Sequence, residues 1–323
     1  MLESFFSDNA IVVPYLYLAI GLVALIISGN YLVTGSVQLA RHFKISTLVV
    51  GLTIVAYGTS APEMFISVKA ALNDAHDIAL GNVIGSNIAN IGFILAVVAM
   101  ICPIPIRNRS IGIDFSIMFI ITALLLLFGY NGIIGRLEGI FLVVILAVYT
   151  VWSVVKSRKQ LKSTETEPAT LKPHFSILMI ILSIGGLYFS SGWFVEGARG
   201  IALHWGVSER VIAISIVAVG TSMPELVASL VAAFRKEGDL SVGNIIGSNL
   251  FNIAGVLAVS SIVRPINIGS HSLFISDMIW LFGITVLFFL TMIPLSKGKI
   301  RRWESAVLLS VFSVYIFRLY TAG

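Results

Sequence analysis

Ten apolar runs take up most of this chain, at about residues 11–34, 46–72, 79–102, 113–130, 137–155, 174–198, 209–234, 241–263, 273–293 and 303–320. About 20 apolar residues in a helix span the hydrocarbon core of a bilayer, and the lack of water there obliges each run to satisfy its own backbone as a helix. Of 323 residues only 11% are charged and 57% are hydrophobic, where a soluble domain carries about 25% charged residues. The expected fold class is therefore an all-α integral membrane protein of about ten transmembrane helices, with short loops. The single cysteine, Cys102, excludes an internal disulfide and any cysteine-based zinc or iron–sulfur site. No HExxH, nucleophile elbow or phosphate loop is present, so neither an enzyme nor a resident cofactor is expected. The first run is too long for a signal-peptide core and is read as a retained helix.

The net charge of +5 lies in the loops between runs and reports topology rather than nucleic-acid binding. Loops after runs 1, 3, 5, 7 and 9 carry 15 lysines and arginines, and the opposite side carries 5. The positive-inside rule then places both termini outside and the longest polar stretch, residues 156–173, in the cytoplasm. That stretch holds Lys156, Arg158, Lys159, Lys162 and Lys172 among Ser, Thr, Glu and Pro. It has too few apolar residues to fold alone and is read as a linker between a first half, 1–155, and a second half, 174–323.

The halves share a repeat. Residues 49–97 align with 211–259 at a constant offset of 162 without a gap, and nearly half of the pairs are identical. The first copy contains AYGTSAPE (56–63) and GNVIGSNIAN (81–90); the second contains AVGTSMPE (218–225) and GNIIGSNLFN (243–252). Five runs separate run 2 from run 7, so the copies are expected to cross the membrane in opposite senses, as two inverted-topology five-helix repeats. Secondary transporters built this way hold their ion site at the midplane where the copies meet. Packing alone would preserve size and apolarity. It would not preserve matched Thr, Ser, Pro, Glu and Asn in lipid, where polar groups are costly.

Glu63 and Glu225 are the centre of the pattern. A carboxylate in mid-bilayer costs about 2.5–3.5 kcal/mol on insertion scales, and no basic residue occupies matching positions in both copies. Lys69, past Glu63, is read as a snorkelling end residue. Two unpaired carboxylates facing each other suggest a divalent cation, or its equivalent in sodium ions or protons. Pro62 and Pro224 each break the helix at GTS and free carbonyls around 56–59 and 218–221. Carbonyl, hydroxyl and carboxylate oxygens suit hard cations. Ser86 and Asn90, like Ser248 and Asn252, are four apart and share a helix face. The pairs Gly81/Gly85 and Gly243/Gly247 let a neighbouring backbone approach. Asn82, Asn87, Asn244 and Asn249 read as supporting hydrogen-bond groups. Asp114 and Asp277 read as helix-dipole partners, and Glu196 and the histidines as residues of span ends and loops.

These motifs resemble the two α-repeats of the sodium/calcium exchangers, within the calcium:cation antiporter superfamily, and the short linker is similar to that of the small prokaryotic members. The resemblance implies alternating access, with spans 1 and 6 sliding past an eight-helix core. It implies that Glu63 and Glu225 bind Ca²⁺ and Na⁺ with the carbonyls of Thr59 and Thr221. Backbone oxygens of Ala56 and Ala218 join the sodium sites, and the side chains of Ser60, Ser222, Ser86 and Ser248 complete them. Asn90 matches the family's central amide. Asn252 stands where well-characterised members carry aspartate, whereas some bacterial relatives and proton/calcium exchangers have Asn at both positions. The Thr-Ser pair kept in both copies favours sodium over protons as the coupling ion. The partners implied are Ca²⁺, Na⁺ and lipid, with a prokaryotic plasma membrane as the location and a monomer as the expected state. A proton-coupled divalent antiporter is the alternative; a cation channel, which would need a continuous path, is a weaker one.

Overall fold

A computed structural model describes residues 2–105, 111–161, 168–207, 220–269, 271–290 and 299–322. Helix α1 (Leu2–Phe43) is followed by α2 (Thr47–Thr59) and α3 (Ala61–Leu72), which meet at a 48° bend. Helix α4 (His76–Ile101), strand β1 (Ile104–Pro105), α5 (Ile111–Gly129), β2 (Ile133–Ile134) and α6 (Arg136–Leu161) complete the first half. The second half holds α7 (Pro173–His204), α8 (Met223–Phe234), α9 (Gly238–Val263), β3 (Ile266–Asn267), α10 (His271–Leu290), β4 (Lys299–Ile300) and α11 (Arg302–Ala322). Six helices, α1 from Val12, α4, α5, α6, α7 and α9, are long and apolar enough to cross a membrane, and the bent pair α2/α3 makes a seventh. The run at 209–234 is represented by α8 alone, because its first part lies outside the described residues.

The end of α6 corrects one expectation. The polar stretch was expected to begin at Lys156, but α6 continues to Leu161 and carries Lys156, Arg158 and Lys159 in its last turns. Cations there meet the negative end of the helix dipole, which favours extending the helix beyond the apolar run. The connection that remains starts after Leu161 and ends at Lys172, before α7. Its last part is pinned, since Oε1 of Gln38 on α1 accepts from the backbone N–H groups of Thr170 (2.8 Å) and Leu171 (3.3 Å).

The two-residue strands tie loops together at both ends of the bundle. Ile104 pairs with Ile300 and Pro105 with Lys299, while Ile133 pairs with Asn267 and Ile134 with Ile266, all antiparallel. β1 and β2 flank α5, whose 19 residues separate them by about 28 Å at 1.5 Å per residue. Ile104 and Ile266 are again 162 apart, so equivalent strands of the two halves sit in different sheets.

Lipid tails are as apolar as leucine, so helix association here rests on close packing rather than on the hydrophobic effect. Helices α4 and α9 lie at the centre: 67% and 83% of their apolar windows are buried, against 17% for α1. The main core joins them to α5, α6, α10 and α11 through Ile91, Leu95, Phe115, Leu257 and Phe288. A second core joins α1, α7, α8 and the start of α2 through Leu25, Leu32, Val50, Leu187 and Val227.

Glycines set the closest approaches. A Cβ on Gly51 would lie 2.5 Å from the Leu240 carbonyl and 2.9 Å from the Asn244 nitrogen, and one on Gly247 would lie 2.5 Å from the Leu52 carbonyl. The Gly243/Gly247 pair therefore lets α2 and α9 touch backbone to backbone, as the spacing predicts, whereas a Cβ on Gly81 or Gly85 would meet nothing within 4 Å, so the first pair seats no neighbouring backbone. Alanine ordinarily stabilises a helix by about 1 kcal/mol over glycine. At Gly51 the added methyl has no room. Gly51→Ala should lower the thermal unfolding midpoint in detergent, with a net loss of about 1–3 kcal/mol typical of overpacking. An unchanged or raised midpoint would show that α2 and α9 are less tightly apposed.

Candidate ion-binding site

The GTSxPE segments break their helices in the same way. Ser60 takes φ −88°, ψ 12° between α2 and α3, and Ser222 takes φ −93°, ψ 11° before α8. Pro62 and Pro224 fall at the second position of the helix that follows, where a missing N–H costs nothing. Glu63 and Glu225 stand in the first turn of α3 and α8, where the positive end of the helix dipole favours a carboxylate. The break lies after Ala56, so the Ser60 N–H still reaches the Ala56 carbonyl (3.0 Å); the Thr59 hydroxyl, with one hydrogen to give, has that carbonyl (3.3 Å) and Oδ1 of Asn244 (3.3 Å) as alternative acceptors. That carbonyl is less free than the proline rule alone suggests. Ala218 lies outside the described residues.

The copies meet at these breaks. Ser60 donates from Oγ to Oε1 of Glu225 (3.0 Å), and Thr59 donates from Oγ1 to Oδ1 of Asn244 (3.3 Å). Glu63 is 1% exposed and Glu225 2%. Among the described residues neither has an ion-pair partner, and both oxygens of Glu63 and Oε2 of Glu225 have no hydrogen-bond donor. Lys69 is exposed, in the last turn of α3, as a snorkelling residue should be.

The GNxxGSNxxN segments close the site. Asn90 and Asn252 are buried, and each begins a π-helical turn, 90–95 in α4 and 252–257 in α9. Such bulges re-aim side chains and recur at functional sites. α3 packs on the second π turn and α8 on the first. Asn252 donates from Nδ2 to Oδ1 of Asn87 (3.3 Å), joining the copies again. Oδ1 of Asn90, Oδ1 of Asn252 and Oγ of Ser248 are buried without a donor. Ser86 and Ser222 are buried, and Thr221 is half-buried and engaged. The structure thus gathers Thr59, Ser60, Glu63, Ser86, Asn90, Ser222, Glu225, Ser248 and Asn252 on the helices that carry the breaks and π turns. Oxygen acceptors without donors, two of them carboxylates, suit a hard cation.

Other polar residues fall elsewhere. Glu196 is exposed and pairs with Arg199 at 3.5 Å, one turn away. Asp114 does more than meet a helix end: it is 3% exposed and accepts from the Tyr149 hydroxyl at 2.8 Å, tying α5 to α6. A tyrosine distant in sequence gave no pattern by which to find that bond. The π turns at 90–95 and 252–257 left no sequence signal either, apart from a matched Asn at each start, and a third, at 51–55, begins at Gly51.

The arrangement is that of a helical membrane protein whose two related halves meet at a cluster of buried oxygens. Comparison with known proteins gives the family. The family model described as sodium/calcium exchanger protein matches residues 13–155 and 175–321. A relative described as a putative antiporter, CaxA of Alkalimonas amylolytica, is 36% identical over 96% of this chain and 99% of its own length. The sodium/calcium exchanger MaX1 of Methanosarcina acetivorans is 29% identical over 96% and 99%. The solved structure of the sodium–calcium exchanger NCX_Mj, soaked with Na⁺ and Sr²⁺, superposes with a TM-score of 0.80 at 32% identity, over 95% of this chain and 98% of that one. This chain belongs to the sodium/calcium exchanger family: it is a multi-pass membrane protein and a cation/Ca²⁺ antiporter.

Glu63→Ala and Glu225→Ala should each abolish cation exchange in liposomes while the protein still inserts and elutes as a single species. Each change halves the negative charge available to a divalent ion buried away from water. Near-wild-type flux in either well-folded variant would remove these carboxylates from the site.

Proposed function

We propose that this protein exchanges Ca²⁺ for Na⁺ across the membrane by alternating access, at a midplane site shared by two inverted five-helix repeats. The observation that carries the reading is the Ser60–Glu225 hydrogen bond, which links the copies beside two buried carboxylates that no cation among the described residues neutralises. Two negative charges match one Ca²⁺. Glu63 and Glu225 hold it with the Thr59 and Thr221 carbonyls; Ser60, Ser86, Ser222 and Ser248 supply side-chain oxygens. The Ala56 and Ala218 carbonyls serve Na⁺, and Asn90 and Asn252 line the centre with amide oxygens. The Ala56 carbonyl has a second lone pair for this role when the Thr59 hydroxyl donates to Asn244 instead. Glu63 and Glu225 sit in equivalent helix turns, and equivalent strands sit at different ends of the bundle, which supports the inverted layout. MaX1 and NCX_Mj carry sodium and calcium in their names, and the Thr-Ser pair stands in both copies here.

The half that ends with α6 at Leu161 and the half that begins with α7 at Pro173 each supply one copy. The bias of basic residues supports a cytoplasmic connection with both termini outside, in a prokaryotic plasma membrane. A single chain supplies both halves of the site and suffices as a monomer.

Purified protein in Na⁺-loaded liposomes, diluted into sodium-free buffer, should accumulate ⁴⁵Ca²⁺. Uptake indifferent to Na⁺ but driven by a pH gradient would replace the sodium reading with the proton-coupled one. For topology, Thr170→Cys in a Cys102→Ala background should resist an impermeant thiol reagent in intact cells and react once the membrane is opened. Labelling from outside would invert the orientation.

A further inference from the structure

Two asparagines outside the candidate ligand set stand behind the carboxylates in the same way in both copies. Asn82 on α4 donates from Nδ2 to the Ser67 hydroxyl (2.9 Å) and to the Glu63 carbonyl (3.3 Å). Asn244 on α9 donates from Nδ2 to the Ser229 hydroxyl (2.9 Å) and to the Glu225 carbonyl (3.4 Å). Each serine is one helical turn beyond its glutamate. A helical carbonyl lies beside the side chain four residues on, so one amide nitrogen reaches both acceptors and anchors a single spot on the first turn of α3 or α8, fixing which way that face is rotated. The direction of a carboxylate in the first turn follows from that rotation. Asn244 adds a third contact, because its Oδ1 accepts from Thr59, setting the first copy's break against the second copy's carboxylate. A leucine of similar volume would fill the same space, and a buried amide is costly unless bonded. Packing alone does not explain an Asn with a Ser partner in both copies.

We propose that Asn82 and Asn244 are positioning residues that aim Glu63 and Glu225 at a shared Ca²⁺ and so set the preference for Ca²⁺ over Na⁺. This rests on the exchange reading above. Ca²⁺ takes six to eight oxygens and needs both carboxylates turned to one centre; Na⁺ depends less on that convergence.

The test is equilibrium ⁴⁵Ca²⁺ binding to the detergent-solubilised full chain, with Na⁺ competition, for wild type, Asn244→Leu, Asn82→Leu and Ser229→Ala. Outer-shell changes of this kind typically cost about 10–100-fold in metal affinity. Both Leu variants should weaken Ca²⁺ binding in that range while the Na⁺ competition constant moves much less. Ser229→Ala, which removes one anchor, should weaken Ca²⁺ several-fold and decides the matter if a Leu variant fails to fold. Unchanged Ca²⁺ affinity in a folded variant overturns the proposal, as does an equal loss for both ions with a lowered unfolding midpoint, the mark of a merely structural role. A wild type that binds no Ca²⁺ would instead overturn the exchange reading itself.

Discussion

Keeping two buried carboxylates apart from every cation among the described residues is the constraint on which the rest of this structure depends. Each must be hidden from lipid, offered to an ion and held against collapse onto the nearest donor. The fold meets all three demands with backbone. Helix starts at Ala61 and Met223 turn their dipoles towards Glu63 and Glu225, and α4 and α9, which pack against them, are the most buried of the long apolar helices. The hydroxyl that does reach a carboxylate, that of Ser60, comes from the opposite copy. Neither half is complete without the other.

That arrangement requires close packing where polar groups are present, and small residues supply it. Gly51, Gly243 and Gly247 bring α2 and α9 into backbone contact, which places Asn244 within reach of Thr59. Side chains of ordinary size at these positions would separate the two copies and leave the hydroxyls of the GTS segments short of their acceptors. Packing and site geometry are therefore one property here.

Much of this was legible in the sequence because the determining signals are local and duplicated. The apolar runs mark the helices, and Pro62 and Pro224 mark the breaks to within two residues of Ser60 and Ser222. The ends of α6 were not legible, since Lys156 and Arg158 read as loop residues by polarity yet suit a helix terminus by charge. The π turns at Asn90 and Asn252 were hidden because a bulge changes hydrogen-bond register without changing composition. Asp114 was read from its own helix alone. Its partner Tyr149 is 35 positions away on another helix, and pairing of that kind is decided by tertiary packing.

The seam between α1 and α7 has a mechanical consequence. Gly21 lies against the backbone of Phe194, Gly35 against the Ser176 carbonyl and Gly200 against Pro14, so the two helices run antiparallel in contact over most of their length. Gln38 clasps the connection leading into α7. The pair is a closed hairpin, and a push on either arm is carried by both. Towards the other helices the same hairpin offers branched apolar tips instead: Ile184 covers Gly58 and Val195 covers Gly220, the glycines of the two GTS segments. One boundary is zipped and the other greased. Any displacement of one arm against the GTS segments therefore carries the other arm with it.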